Sequence, residues 1–86
     1  MEIVYSGKAA KQMKSICKAD QKSAEMIFQA IENYASNPQV PPDIKILKGK
    51  KAIFYRLRMG NYRVVFERDK TAMRNYEIRH RQGVYK

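Results

Sequence analysis

The sequence is poor in the residues that most often carry cross-links, metals or acid–base chemistry. It has one cysteine, Cys17, and one histidine, His80, in 86 residues. A lone cysteine cannot close an internal disulfide, which suits a reducing compartment. On a helix, Cys17 is expected to serve as a small buried apolar side chain. One histidine, one cysteine and scattered acids supply no ligand cluster, so neither a metal nor a small-molecule cofactor is expected. No apolar run approaches the roughly 18–20 residues needed to cross a bilayer. Glu2, the short run Ile3-Val4-Tyr5 and Lys8 do not make a charged segment followed by an apolar stretch and a cleavage site. A cytoplasmic protein with no membrane role is the expectation.

Acids are also scarce, but only in one half. Residues 1–43 carry five lysines against five acids and are neutral as a block. Residues 44–86 carry thirteen Lys and Arg against Glu67, Asp69 and Glu77, so this half holds the whole net charge of +10. Charge concentrated in this way attracts a polyanion through counterion release and steers its approach. Solubility alone would not require one half to hold all of it.

No internal repeat or linker divides the chain, and residues 1–86 read as one domain of modest core. Ile3-Val4-Tyr5 is a short strand candidate. Ser6 can cap a first helix, in which Ala9, Met13, Ile16 and Cys17 share a face and Lys11, Lys14, Lys18 and Lys22 form a solvated stripe. Asp20 or Ser23 can cap a second helix with an apolar seam of Ile27, Ala30, Ile31 and Tyr34. Asn37-Pro38 ends it. Beyond Pro41-Pro42, Ile44 to Leu47 is a further extended candidate and Lys48-Gly49-Lys50-Lys51 a basic turn. The period then changes to two: Ile53, Tyr55 and Leu57 on one face, Phe54, Arg56 and Arg58 on the other. Gly60-Asn61 signals a tight hairpin turn into Tyr62 to Glu67. Ala72 to His80 reads as a last strand with Tyr76 and Ile78 alternating on one face. The expected architecture is α+β, in the order β-α-α-β-β-β, an antiparallel sheet with a helix hairpin packed on one face.

The other face of that sheet is where the arginines can go. Arg56 and Arg58 are two apart on one strand, Arg63 lies just across the hairpin turn, Arg81 leaves the last strand, and Tyr85 follows. Guanidinium groups bind phosphate oxygens bidentately and stay protonated at any biological pH. Clustered on one face they repel one another unless an anion arrives. The plainer alternative is a set of solvated strand residues, some of them paired with Glu67 or Glu77.

Three linked stretches, Leu47-Lys48-Gly49, Tyr55-Arg56-Leu57-Arg58-Met59-Gly60-Asn61-Tyr62-Arg63-Val64-Val65-Phe66 and His80-Arg81-Gln82-Gly83-Val84-Tyr85, resemble the toxins of the RelE/ParE superfamily. The resemblance spans nearly the whole chain and implies a toxin of a type II toxin–antitoxin system. In the RelE-like branch it implies a metal-independent endoribonuclease that cuts messenger RNA in the ribosomal A site and so inhibits translation. Arg63, Arg81 and Tyr85 would then be the catalytic set. Arg56, Arg58, Lys50 and Lys51 would hold RNA phosphates, joined by Arg79, which stands where the family often has glycine and adds charge next to the site. The implied chemistry is attack of a ribose 2′-OH on the adjacent phosphate with expulsion of the 5′-oxygen, which needs a proton acceptor, a proton donor and charge stabilisation. Arginine is too weak a base for the first task, so the acceptor stays open among Lys50, Lys51 and His80, with a packed strand-end role as the alternative for His80. The implied partners are messenger RNA, the ribosome and a cognate acidic antitoxin. Two other functions fit the residues: a ParE-like inhibitor that binds DNA gyrase without cutting RNA, and a basic RNA-binding module.

Overall fold

The computed structural model describes residues 1–38, 44–48 and 53–81. The chain opens with strand β1 (Glu2–Tyr5) and enters helix α1 (Gly7–Ala19) at Ser6. The Ser6 hydroxyl oxygen accepts from the Ala9 N–H at 3.0 Å and itself donates to the Tyr76 carbonyl at 2.8 Å. One side chain thus satisfies an orphan N–H of the first turn and ties the helix start to the last strand. Asp20 separates α1 from α2 (Gln21–Ser36) and serves both. Its N–H closes α1 on the Ile16 carbonyl at 2.6 Å, and its carboxylate accepts from the Ser23 N–H at 3.1 Å and the Ser23 hydroxyl at 2.6 Å. The hairpin therefore turns within a single residue.

The seam expected on α2 is buried in full: Ile27, Ala30, Ile31 and Tyr34, joined by Ala24 and Ala35. On α1, Ala9 and Ile16 are buried and Met13 packs against the core, but Cys17 is exposed. This corrects the buried role expected of the cysteine. Cys17 lies at the margin of the apolar stripe and lines an open groove with Met13, Ala24 and Phe28.

Strands β2 (Ile44–Lys48), β3 (Ile53–Met59), β4 (Tyr62–Arg68) and β5 (Ala72–His80) complete a sheet of order β1-β5-β4-β3-β2. The α+β class and the hairpin on one face are those expected, with two differences in detail. Ile44–Lys48 pairs with β3 from Ile44↔Leu57 to Lys48↔Ile53, so the described residues form five strands, one more than anticipated. The sheet is also mixed, since β1 runs parallel to β5. That pairing joins segments about seventy residues apart, and alternation within a strand carries no information about such a partner.

Between β3 and β4, Gly60 has φ +58° and is the one described residue with positive φ. With Met59 paired to Tyr62, this is the two-residue turn with glycine at its first central position, where a Cβ would be strained. Under the sheet, Phe66 is fully buried, stacked on Tyr55 at 5.4 Å and met edge-on by Tyr34 at 5.1 Å. The Arg68 guanidinium covers the Tyr34 and Tyr55 rings from the same side.

β1 pairs only with the first half of β5, Ala72 to Asn75. Beyond it α1 takes over the edge: the Gln12 side chain accepts from the Ile78 N–H at 2.7 Å, and Ser6 bonds the Tyr76 carbonyl. Bare strand edges invite pairing with other chains, and here helix side chains occupy the edge groups.

Candidate nucleic-acid interface

The face away from the helices is built by alternation on three strands. Since Leu57, Val64 and Ile78 are buried in the core, their neighbours Arg58, Arg63 and Arg79 point to the opposite side. The register then aligns them: Arg58 stands opposite Arg63, and Arg63 opposite Arg79. Three guanidinium side chains therefore form a row across β3, β4 and β5, with neighbouring Cβ atoms about 5 Å apart. Like charges placed directly opposite one another destabilise a sheet. The row is a cost that an anion would remove.

Arg56 lies one step further along β3, opposite Val65, which faces Glu77 in turn. Glu77 binds Arg79 Nε through one carboxylate oxygen at 2.9 Å and Lys8 Nζ through the other at 3.0 Å. Partial burial of this carboxyl opposes ionisation, but the two cations outweigh it and hold Glu77 below the usual carboxylate range. Among the described residues, Arg56, Arg58, Arg63 and Arg81 have no such ion pair. Arg56 and Arg63 are half-buried, their Nε atoms are shielded from solvent, and neither atom has a hydrogen-bond partner among the described residues. Arg58 is exposed. Arg81, also exposed, follows β5 at the same end of the sheet, where its N–H donates to the Asn61 carbonyl at 2.6 Å. The hairpin turn and the end of β5 are thereby fastened together beside the row.

Arg56, Arg58, Arg63 and Arg79 thus share one surface, with Arg79 already engaged by Glu77, and Arg81 follows directly after β5. Tyr85, Lys50 and Lys51 lie outside the described residues. His80 alternates with Arg79 and faces the helix side, its ring edge-on to Tyr62 at 5.2 Å. It does not share the surface of the arginine row. The Lys11, Lys14, Lys18 and Lys22 stripe is exposed on the hairpin.

One feature of this face departs from the expected pattern. β5 carries a bulge: Val65 pairs with Glu77 and Phe66 with Asn75, leaving Tyr76 without an opposite residue. The extra residue shifts the alternation, so Asn75 is fully buried, its side-chain amide donating to the Val4 carbonyl at 3.1 Å. Tyr76 moves to the open face, away from Ile78. There it meets Phe54 edge-on at 5.8 Å and donates its hydroxyl to Glu67 at 3.0 Å. This correction has a simple cause, since a period of two read through nine residues has no mark for one added residue. Lys8 was likewise not anticipated on this face, because it belongs to the helix half and reaches Glu77 around the sheet edge.

A helix hairpin on one side of a sheet and a row of arginines on the other define a small α+β protein with an arginine-rich open face. The model of the ParE toxin of the type II toxin–antitoxin system, parDE, matches residues 3–85, and the chain belongs to this family of type II toxins within the RelE/ParE superfamily. It is 27% identical to Toxin RelE3 of Methanocaldococcus jannaschii over 85 residues, which cover 99% of this chain and 96% of the relative. The fold is similar to that of the YoeB/ParE toxin from Agrobacterium tumefaciens, with a TM-score of 0.78 at 19% identity over 93% of this chain and 98% of the other. It is also similar to the archaeal RelE–RelB complex from Pyrococcus horikoshii, with a TM-score of 0.75 at 18% identity over 96% and 97% of the two chains.

Proposed function

We propose that this toxin is an endoribonuclease that cleaves messenger RNA, acting in the ribosomal A site and stopping translation. The observation that carries the reading is the Arg58–Arg63–Arg79 row, with Arg56 beside it and Arg81 at its end. Two of these guanidinium groups, those of Arg56 and Arg63, keep a shielded Nε without a partner among the described residues. A phosphodiester supplies what they lack, and charge-assisted bidentate bonds to arginine are among the strongest hydrogen bonds a protein makes.

In this reading Arg56, Arg58 and Arg79, with Lys50 and Lys51, track the backbone, and Arg63 and Arg81 address the scissile phosphate. The ribose 2′-oxygen attacks phosphorus, its proton passes to a base, the 5′-oxygen leaves with a proton, and a 2′,3′-cyclic phosphate remains. Arg63 and Arg81 stabilise the added negative charge of the phosphorane. Tyr85 is the proposed proton relay. The base is assigned to Lys50 or Lys51, because His80 faces the helices.

The proposed regulator is a cognate antitoxin with an acidic segment that neutralises the arginine face. Charge complementarity supports it, and relatives are known as RelE–RelB and YoeB–YefM complexes. The second reading, inhibition of DNA gyrase without RNA cleavage, is favoured by the ParE description of the matching family.

Mapping messenger RNA 5′ ends after brief induction in cells separates the two, with Arg81→Ala as control. The nuclease reading expects new ends at a fixed place within codons, absent from the control. Intact messages with growth arrest and a DNA-damage response would transfer the assignment to gyrase.

A further inference from the structure

The bulge in β5 re-aims an aromatic side chain onto the face that carries the arginine row, where it joins Phe54 and Glu67 in a small cluster. Tyr76 is 38% exposed, and Phe54 is half-buried against it with the rings 71° apart. Both stand on the side of the sheet that the helices leave open. Glu67 completes the group by accepting the Tyr76 hydroxyl on Oε1, while no bond to Oε2 is made among the described residues. The bond to Glu67 and partial burial raise the Tyr76 hydroxyl above its ordinary range, so it remains a donor at every physiological pH.

A carboxylate on a phosphate-binding face repels the phosphates themselves. It is useful there only toward a group that donates. Exocyclic amines of nucleobases are such donors, and carboxylates accept from them in base recognition. Aromatic rings beside a basic groove are the usual platforms on which unpaired bases stack. The spacing also suits a single strand: Phe54 lies four residues from Arg58 on β3, about 13 Å, with Arg56 midway. A backbone held by the arginine row and Arg56 would deliver a neighbouring base to the rings.

We propose that Phe54, Tyr76 and Glu67 form a nucleobase subsite of the RNA-binding face, taking an unpaired base with an exocyclic amine (cytosine, adenine or guanine). The inference rests on the ribonuclease reading and deepens it. Phe54 and Tyr76 supply the stacking surface. Tyr76 orients the Glu67 carboxylate, and Glu67 selects against uracil, whose corresponding edge presents an oxygen.

The test is the base composition around cut sites, mapped in cells for the wild type, Phe54→Leu, Tyr76→Phe and Glu67→Gln. The side chains replaced are all on the open face, and melting curves check each variant's fold. The wild type is expected to show uracil depleted at one fixed position relative to the cut. Glu67→Gln, which adds an amide donor, restores uracil there. Phe54→Leu reduces cutting roughly tenfold and flattens the composition, in line with the loss of one stacked base. Tyr76→Phe weakens the uracil bias while cutting persists. Wild-type composition in all three variants, with cutting intact, would overturn the subsite and leave the nuclease standing. Failure of the wild type itself to cut would remove the nuclease reading and the subsite together.

Discussion

Arg58 and Arg63 stand directly opposite one another across the β3–β4 hairpin, five residues apart in the chain and joined by the tight turn at Gly60. A hairpin ordinarily places opposite charges or apolar pairs at such positions, because facing cations cost stability. Arg79 extends the conflict to a third strand. The arrangement sets stability against anion binding, and the two can be measured separately.

Arg63→Ala should leave the melting temperature unchanged or slightly raised, since it removes the middle charge of the row, and like-charge contacts of this kind are worth roughly 0.2–1 kcal/mol. The same substitution should abolish growth inhibition. Thermal melts and induction assays on one set of variants check both halves. A large loss of stability would assign Arg63 to the framework.

Glu77 competes with any phosphate for Arg79, because one carboxylate holds both Arg79 and Lys8. Glu77→Gln should therefore tighten RNA binding. It should also steepen the dependence of log affinity on log salt by about one, the change for one added phosphate contact. The cost in stability should stay below about 1 kcal/mol, since Lys8 and Arg79 are largely solvent-exposed. An unchanged salt slope would mean that Arg79 does not meet phosphate.

The β4–β5 turn is closed by Asp69, whose carboxylate accepts from the Thr71 hydroxyl, the Thr71 and Ala72 N–H groups and the Arg74 guanidinium at 2.8–3.0 Å. The Thr71 hydroxyl bond leads the set that holds the Asp69 carboxyl far below the usual carboxylate range. A depressed folded-state pKa contributes stability that is complete above the unfolded value of roughly 4 and is lost as pH falls toward the folded value. Asp69→Ala should accordingly melt below the wild type at pH 7, and the gap should narrow on acidification below about pH 4. A gap that held constant to strongly acid pH would exclude ionised Asp69 as its source.

Phe66 joins the helix seam to the sheet through Tyr34 and Tyr55. Phe66→Ala should cost about 3–5 kcal/mol. In a domain of this size that is a large share of the total stability, so chemical denaturation should show a much lower midpoint. A loss under about 1 kcal/mol would mean that the core closes around the gap.

Much of this architecture was legible because its signals are local. The Ile27, Ala30, Ile31 and Tyr34 seam follows the helical period, Gly60-Asn61 marks a two-residue turn, and the parity of Arg56, Arg58 and Arg63 places them on one face. The placement of Arg79 opposite Arg63 follows from pairing register, which local alternation cannot supply. Tyr76 parts from the face of Ile78, with which simple alternation groups it, for the same reason that Asn75 is buried: a single bulge residue reverses the parity behind it. Cys17 was expected inside because its spacing from Met13 and Ile16 fits an apolar stripe, yet the stripe narrows before reaching it. Lys8 escaped notice because its partner, Glu77, is nearly seventy positions away.

The central claim is that the arginine row receives a scissile phosphate. The most direct measurement is the chemistry of message ends in a translating extract supplied with the purified protein or its Arg63→Ala variant. The account predicts 2′,3′-cyclic phosphate ends with the wild type, reduced at least about a hundredfold by Arg63→Ala, the effect of deleting a group that stabilises transition-state charge. Uncut messages with the wild type, together with inhibition of gyrase-driven supercoiling, would contradict it.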